Sequence, residues 1–348
     1  MARKGTSSSE GLRQLKSAIK TGAFEKLYFF YGEERYLQEY YLATLRKKLV
    51  SGPMEDFNYR RLTPENMSVE ALLDAVDAVP MMAEWTMVQV DDYDPFAQNE
   101  ATREQLISLF SNLPEGCCLV FNFDTVPYGR SGKLKKLCEA IDKNGCEVEF
   151  AKQSPAELCD WITRHFRQAG KTISGDLCQY LVFLTGGDMT TLRAEIGKII
   201  AYSRADAIVR QDIDTMVEPV LSAVVFDITD AMAEGDYDTA LGKLRTLLHM
   251  KEEPIAILAA VGGHFRKLLS AKTALSVGRS DAIMGLLGTG SDYYARKITS
   301  QAGRLREEFC CKAVTLCYEA DRKMKTSFDD AERVLELLLL ELAQEAAR

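Results

Sequence analysis

The sequence has no apolar run long enough to cross a membrane. Its longest apolar stretches, Ile255 to Gly263 and Leu337 to Leu340, fall well short of the roughly 20 residues that a transmembrane helix needs. The N-terminal segment also lacks the apolar core of a secretory signal. We therefore expect a protein that is not integral to a membrane and that stays in the cytoplasm.

Histidine is scarce, and the cysteines are not spaced for metal or redox chemistry. The three histidines, His165, His249 and His264, form no HExxH or comparable metal motif. The nine cysteines lack CxxC spacing, so we expect reduced thiols packed in cores. His249 and Glu252 could share a helical face, but a lone pair is a weak metal signal. We expect no metal ion and no other cofactor.

The sequence also lacks an excess of positive charge: 51 Asp and Glu outnumber 43 Lys and Arg, and the net charge is −8. This argues against a protein whose whole surface binds nucleic acid by neutralising phosphates, so any contact with DNA must come from a local basic patch. Residues 1–48 carry ten Lys and Arg against five Asp and Glu. We interpret that bias as a solvated, partly disordered arm. The one segment that we name as a candidate for contact with DNA is Arg296 to Lys325.

The length of 348 residues is about twice that of a usual domain, which predicts two or three compact units. With 47% apolar and 27% charged residues, the composition excludes extended disorder. Ser154 followed by Pro155 is a good helix start and marks one joint, and Pro219 marks a second. We expect domains at 1–152, 153–218 and 219–348.

The first of these domains alternates between strand and helix patterns. Short runs rich in aromatic and β-branched residues predict five strands: Leu27–Tyr31, Phe57–Leu62, Trp85–Val90, Cys117–Phe123 and Cys146–Phe150. Helical spacing fills the stretches between them: Glu34–Val50, Ser68–Val79, Ala101–Leu113 and Lys133–Lys143. Continuous apolar strands separated by helices predict a three-layer α/β domain around a mainly parallel sheet.

Beyond Ser154 the pattern is helical, with few convincing strands. A small four-helix unit is predicted over Ala156–Gln168, Gly175–Thr185, Asp188–Tyr202 and Arg210–Val217. An all-α last domain follows, with helices predicted over Phe226–Ala233, Tyr237–His249, Pro254–Ala274, Tyr293–Ser300, Arg304–Lys323 and Ala331–Glu345.

The α/β domain has the layout of a nucleotide-binding fold without its phosphate-binding residues. Phosphate usually sits on a Gly-rich turn after the first strand, but here that turn is Gly32-Glu33-Glu34-Arg35, with two carboxylates and no GxxxxGK[ST] pattern. The later Gly129 to Lys133 segment lacks the required spacer, and we interpret it as a solvated basic turn.

Asp91 and Asp92 follow a predicted strand, like the acidic pair that holds magnesium in P-loop ATPases. Without a phosphate-binding turn, they more simply end the strand before the turn at Pro95. The sequence also has no GxSxG elbow and no cysteine with a nucleophile signature. We expect no catalytic site.

Several motifs follow one another along most of the chain in the order of a known family. They are Leu27 to Glu34 with Tyr36-Leu37, Phe57-Asn58, Pro80 to Glu84 before the strand Met87 to Val90, Gly186 to Leu192 with Glu195 and Lys198, and Asp321 to Lys325 before the Leu-rich last helix. Together they resemble the delta subunit family of bacterial DNA polymerase III, part of the clamp loader.

The resemblance implies an AAA+-like first domain that does not hydrolyse ATP, a small helical lid domain and a helical collar domain that packs into a ring. It implies a hetero-pentamer with gamma/tau and delta prime subunits, in which ATP turnover belongs to the partners. The complex would open the sliding clamp (beta) and load it onto primed DNA. The chain would then be a subunit of a DNA-directed DNA polymerase holoenzyme, a nucleotidyltransferase.

The resemblance also points to clamp-binding residues, Met81 and Met82. They stand where family members present two large apolar residues, commonly Leu-Phe, to a hydrophobic pocket on the clamp, and Trp85 stands where a basic residue is common. Two flexible apolar side chains after Pro80 suit an exposed anchor, because burying one Met is worth about 1.5 to 3 kcal/mol. The structural alternative is that one of the pair caps the sheet core.

Two other functions stay open at this point. One is an atypical AAA+ ATPase acting on nucleic-acid complexes, with Asp91 and Asp92 binding magnesium; it would bind ATP. The other is a helical scaffold unrelated to replication, which would associate with neither a clamp nor loader subunits.

Overall fold

The computed structural model describes residues 8–327 and 330–346. The chain divides into two compact units, Met1–Gln153 and Ser154–Arg348. A further division of the second unit at 218/219 stays a prediction. In the described ranges, no helix combines the length and the apolar character needed to span a membrane.

The first unit is built on one five-stranded sheet. Its strands are β1 (Leu27–Tyr31), β2 (Tyr59–Leu62), β3 (Thr86–Asp91), β4 (Cys117–Asn122) and β5 (Cys146–Glu149). All neighbouring strands run parallel, in the order β2-β3-β4-β1-β5. The predicted parallel sheet is confirmed, and it arises because nearly every residue of the three central strands is buried on one face or the other.

Helices cover both faces of this sheet. The unit contains α1 (Ser8–Thr21), α2 (Arg35–Leu49), α3 (Glu55–Asn58), α4 (Val69–Val76), α5 (Glu100–Ser111) and α6 (Lys135–Asn144). Side chains of α1 and α2 form one core with Tyr28 and Phe30 of β1. Side chains of α4, α5 and α6 form a second core with Leu27 and Phe29 of the same strand. The predicted three-layer architecture is confirmed.

Helix α1 corrects the interpretation of the basic N-terminal segment as a solvated arm. Its apolar residues recur on one face, and Leu15 and Ala18 are buried. The helix packs so closely on β5 that a Cβ at Gly11 would lie 1.9 Å from the carbonyl oxygen of Glu147. The charge bias was misleading, because the basic residues of α1, Arg13, Lys16 and Lys20, are exposed on the face opposite Leu15 and Ala18. Residues 1–7 of the expected arm lie outside the described residues.

One strand prediction was too long at its start. Phe57 and Asn58 belong to the short helix α3, because their amides donate to the carbonyl oxygen of Met54 instead of joining the sheet. Strand β2 begins only at Tyr59, which pairs with Met87 of β3. This turn places Asn58 beside the segment that leads into β3, as described below.

The second unit is helical, and its one β-bridge in the described residues joins Thr172 to Ala207. Its helices are α7 (Pro155–Gln168), α8 (Gly175–Thr185), α9 (Met189–Tyr202), α10 (Arg210–Met216), α11 (Leu221–Ala233), α12 (Tyr237–His249), α13 (Pro254–Ser276), α14 (Ile283–Leu287), α15 (Asp292–Arg304), α16 (Glu307–Thr326) and α17 (Ala331–Ala346), with a short 3-10 turn at Ser280–Ala282 before α14. The all-helical prediction is confirmed. The short α14 was not predicted.

Local chemistry explains where these helices start. Ser154 and Glu157 form a reciprocal capping box at α7, with Pro155 in its first turn. Gly186 and Gly187 both adopt positive φ, which ends α8, and the Asp188 side chain then accepts the Thr191 amide at 2.7 Å to start α9. The Gly-Gly-Asp motif is thus a helix stop followed by a helix start.

Candidate functional site

The segment between α4 and β3 carries an exposed apolar surface. Met81 is 47% exposed and Met82 is 86% exposed, while Val79 just before them is 81% exposed. Neither methionine caps the sheet core, so that alternative was wrong. Phe57 at the end of α3 is 61% exposed. We call Phe57, Val79, Met81 and Met82 the apolar tip.

A buried asparagine holds the backbone of the apolar tip. The Asn58 side chain accepts the Met81 amide at 2.7 Å and donates to the Met81 carbonyl oxygen at 2.8 Å. Asn58 itself is only 2% exposed. Sequence reasoning identified Asn58 as part of a family motif but gave it no role, because the partner lies 23 residues away in the chain.

The backbone after this contact is strained. Met82 has φ +52°, in the left-handed region that a bulky L-residue rarely adopts. On the other side, Gly116 approaches so closely that a Cβ there would lie 2.7 Å from the carbonyl oxygen of Glu84, and its carbonyl oxygen accepts the Thr86 amide at 2.7 Å. The segment is thus fixed both before and after Met82.

Trp85 does not extend the exposed surface. It is half-buried and meets the Phe24 ring edge-on, with ring centroids 6.2 Å apart. Its bulk packs against the core under α1 and α2. Trp85 therefore serves packing in the α/β unit.

The turn after β1, where phosphate would bind, is closed by the protein itself. Gly32 has φ +134°, and a Cβ there would lie 2.3 Å from the carbonyl oxygen of Phe150. That same oxygen accepts the Glu34 amide at 2.9 Å, so an amide at the start of α2 is already used. The Arg35 guanidinium pairs with Asp124 at 2.8 Å instead of facing a free anion site.

Asp91 is likewise occupied. Its carboxylate accepts hydrogen bonds from Arg61 at 2.5 Å, Gln89 at 2.7 Å and Asn122 at 2.9 Å. The hydrogen-bonded chain continues on both sides, since Gln38 donates to Asn122 at 2.7 Å and Tyr59 donates to Gln89 at 2.8 Å. We call these six residues, Asp91 included, the polar edge, and Asp92 is its seventh member.

Asp92 completes the polar edge with φ +51° and a carboxylate that caps the turn after β4. It accepts the amides of Asp124, Thr125 and Val126 at 2.8 to 3.1 Å and the Thr125 hydroxyl at 2.7 Å. Partial burial alone would raise the pKa of Asp92, but these hydrogen bonds to the charged form outweigh it and lower that pKa below its usual value.

The space left at the polar edge is small. Its cavity of about 160 Å³ is lined by side chains that already bond to one another, among them Gln38, Asp91 and Asn122. Sites for cofactors and other small molecules span about 300 to 1,000 Å³. The arrangement holds neighbouring strands together and offers no open set of magnesium ligands.

The other candidate ligands have structural roles. His264 is buried, its Nε2 lies 2.8 Å from Gln301, and burial lowers its pKa to about 4. His249 is the last residue of α12, so it does not share a helical face with Glu252, and that idea was wrong. Within 8–327 and 330–346, no group of three or more His, Cys, Asp or Glu side chains is placed to hold a metal ion.

Comparison with known proteins gives these features a context. A model named DNA polymerase III, delta subunit, matches residues 28–151, and one named DNA polymerase III delta subunit, C-terminal domain, matches residues 222–342. The DNA polymerase III subunit delta of Bacillus subtilis is 24% identical over 93% of this chain and 95% of its own length. A probable DNA polymerase III subunit delta of Aquifex aeolicus is 21% identical over 89% of each chain.

A solved structure shares the fold. The Bacillus subtilis DNA clamp loader delta protein superposes with a TM-score of 0.60 at 23% identity, covering 96% of this chain and 99% of that one. The predicted parallel-sheet α/β domain followed by helical structure is confirmed. The chain belongs to the DNA polymerase III delta subunit family.

Proposed function

We propose that this chain is the clamp-loader subunit that binds the sliding clamp (beta), through Met81 and Met82, and stabilises the open ring. The complex then delivers the clamp to primed DNA in the cytoplasm. The observation that carries the proposal is the exposure of two adjacent methionines on a rigidly held segment of a delta-family chain. Exposed apolar side chains on a fixed backbone are typical anchors for an apolar pocket.

The proposed mechanism is differential binding. A subunit that contacts the open clamp more tightly than the closed one shifts the ring toward the open form without hydrolysing a nucleotide. Burial of a Met side chain is worth about 1.5 to 3 kcal/mol, so a pair that is buried only against the open clamp shifts the ring at least tenfold toward the open form.

ATP turnover is assigned to the gamma/tau partners of a hetero-pentamer that also contains delta prime. The closed turn at Gly32 and the occupied carboxylates of Asp91 and Asp92 support a subunit without its own nucleotide cycle. They also remove the basis of the ATPase alternative. Residues 219–348 would form the collar of the ring, and DNA contact would come through the assembled complex.

The test is the affinity of the purified chain for the sliding clamp of the same organism, measured by surface plasmon resonance without nucleotide. We expect the Met81→Ala, Met82→Ala double variant to bind at least about tenfold more weakly, since each tenfold is about 1.4 kcal/mol. The matched control is Met250→Ala with Ile255→Ala, which removes two comparably exposed side chains from the second unit. Unchanged binding of the Met81, Met82 variant would contradict the proposal.

A further inference from the structure

We propose that Asn58 is a positioning residue for clamp binding: its side-chain amide fixes Met81 and thereby holds Met82 in its outward, left-handed conformation. This inference rests on the proposed function, because it concerns how the same surface is presented to the clamp. It assigns a role to a buried side chain that itself touches no partner.

The Asn58 side chain bonds Met81 much as a neighbouring β-strand would, with one donated and one accepted hydrogen bond. The carbonyl and the amide group of Asn58 bond the N–H and C=O of Met81, at 2.7 and 2.8 Å. Both backbone groups of one residue are therefore satisfied by one side chain, away from water. Such a paired contact fixes the orientation of the peptide as well as its position.

Asn58 is itself well fixed. Its amide donates to the Met54 carbonyl oxygen at 3.2 Å, and the next residue, Tyr59, starts β2 and pairs with Met87 of β3. The asparagine therefore joins the segment before β3 to a rigid neighbouring strand. Through these hydrogen bonds, the position of the apolar tip is fixed relative to the sheet.

The strain at Met82 explains why the two hydrogen bonds from Asn58 to Met81 matter for the conformation of this segment. A bulky L-residue is strained in the left-handed region, so a free segment would relax to other conformations. Two hydrogen bonds on the preceding residue oppose that relaxation. A segment held in its binding conformation loses less entropy on association, so its affinity is higher than that of a mobile segment with the same side chains.

The first measurement is independent of the clamp. In Asn58→Ala, we expect hydrogen exchange of the backbone amides of residues 81–84 to speed up at least about tenfold, since the hydrogen-bond partner of the Met81 amide is gone. Asn58→Asp keeps the acceptor for the Met81 amide but loses the donor to its carbonyl oxygen, so we expect a smaller increase. Unchanged exchange in both variants would overturn the inference.

The second measurement is a double-mutant cycle on clamp affinity. We expect Asn58→Ala to weaken binding about fivefold in the parent chain and to have no further effect in the Met81→Ala, Met82→Ala background. A merely structural role would lower binding by the same factor in both backgrounds, and that result would overturn the inference. The control is Asn99→Ala, which removes the cap of α5 in the same unit and is expected to leave clamp affinity unchanged.

The cycle separates this inference from the proposed function. If the methionine double variant weakens binding but Asn58→Ala does not, Asn58 has no positioning role and the proposed function stands. If the methionine double variant binds normally, the proposed function fails, while the exchange measurement still decides whether Asn58 orders the segment. Should Asn58→Ala fail to fold, judged by circular dichroism, the isosteric Asn58→Asp serves in both measurements.

Discussion

The apolar tip and the polar edge lie at opposite ends of the same parallel strands. Met82 precedes β3 and Phe57 precedes β2, so the tip is at the amino end of the sheet. Asp91 and Asn122 end β3 and β4, so the polar edge is at the carboxyl end. Ligands of open α/β sheets usually bind outside the carboxyl ends of the strands. Here the polar side chains at the carboxyl end bond one another, and the exposed apolar surface is at the amino end.

The difference lies in how each end uses its polar groups. At the polar edge, side chains such as Gln38, Asn122 and Asp91 bond one another, which stabilises the fold and leaves no site. At the tip, one polar side chain, Asn58, bonds backbone and leaves the neighbouring apolar side chains free for a partner. Changes at the polar edge should therefore affect stability, and changes at the tip should affect binding.

The largest effect on stability is expected from Asp91→Ala. This change leaves the buried amides of Gln89 and Asn122 without their shared acceptor, so the free energy of unfolding should fall by about 2 kcal/mol. Urea denaturation measures it, with the exposed Asp74→Ala as the control expected to stay within about 0.5 kcal/mol. Clamp affinity of the folded variant should not change. A large loss of clamp affinity would contradict the assignment of stability to the polar edge and of binding to the apolar tip.

A smaller loss, about 1 kcal/mol at neutral pH, is expected for Asp92→Asn, because a charged acceptor of four hydrogen bonds is replaced by a neutral one. The pKa of Asp92 is lower in the folded chain than in the unfolded one, where it is near 3.8. The unfolded chain therefore takes up the proton first as the pH falls, and the stabilisation is lost below about pH 4.

The pH dependence of the difference between parent and Asp92→Asn checks this sign. The gap in unfolding free energy should be constant at neutral pH and close as the medium becomes more acidic than about pH 4. His264 acts in a different window: its pKa falls from 6.5 to about 4 on folding, so both proteins lose stability between those values and the contribution cancels. A gap that widened in acid would contradict the role given to Asp92.

Met82→Gly should raise the free energy of unfolding but lower the affinity for the clamp. Glycine relieves the left-handed strain of about 1 to 2 kcal/mol but adds flexibility to the unfolded chain, so a net gain of about 0.5 kcal/mol is expected. Loss of the side chain should weaken clamp binding. Lys251→Gly, at φ +62° in the second unit, is the matched control and should gain stability without losing affinity. A destabilised Met82→Gly chain would show that the conformation is not strained.

The sequence was sufficient to predict the sheet, whereas the methionine pair came from the family resemblance and its exposure was left open. The apolar run Cys117 to Phe121 is rich in β-branched and aromatic residues and is buried on both faces of the sheet, as expected of a covered parallel strand, and Pro80 before Met81 indicated a turn. The hydrogen bonds from Asn58 to Met81 could not be predicted, because they join residues that are distant in the sequence. Helix α1 was missed for a different reason: its apolar spacing was present, but its charge bias was given more weight.

Phe57→Ala is expected to have the smallest effect, and it tests how far the binding surface extends. The ring is 61% exposed, so its removal should change the unfolding free energy by less than about 0.5 kcal/mol. Because Phe57 directly precedes the residue that holds Met81, its ring is placed to widen the contact, and we expect clamp affinity to fall about threefold. Tyr40→Ala, with a 53% exposed ring on α2, is the control and should bind normally. If Phe57→Ala binds as tightly as the parent, the contact is confined to the segment before β3 and the short helix serves only to carry Asn58.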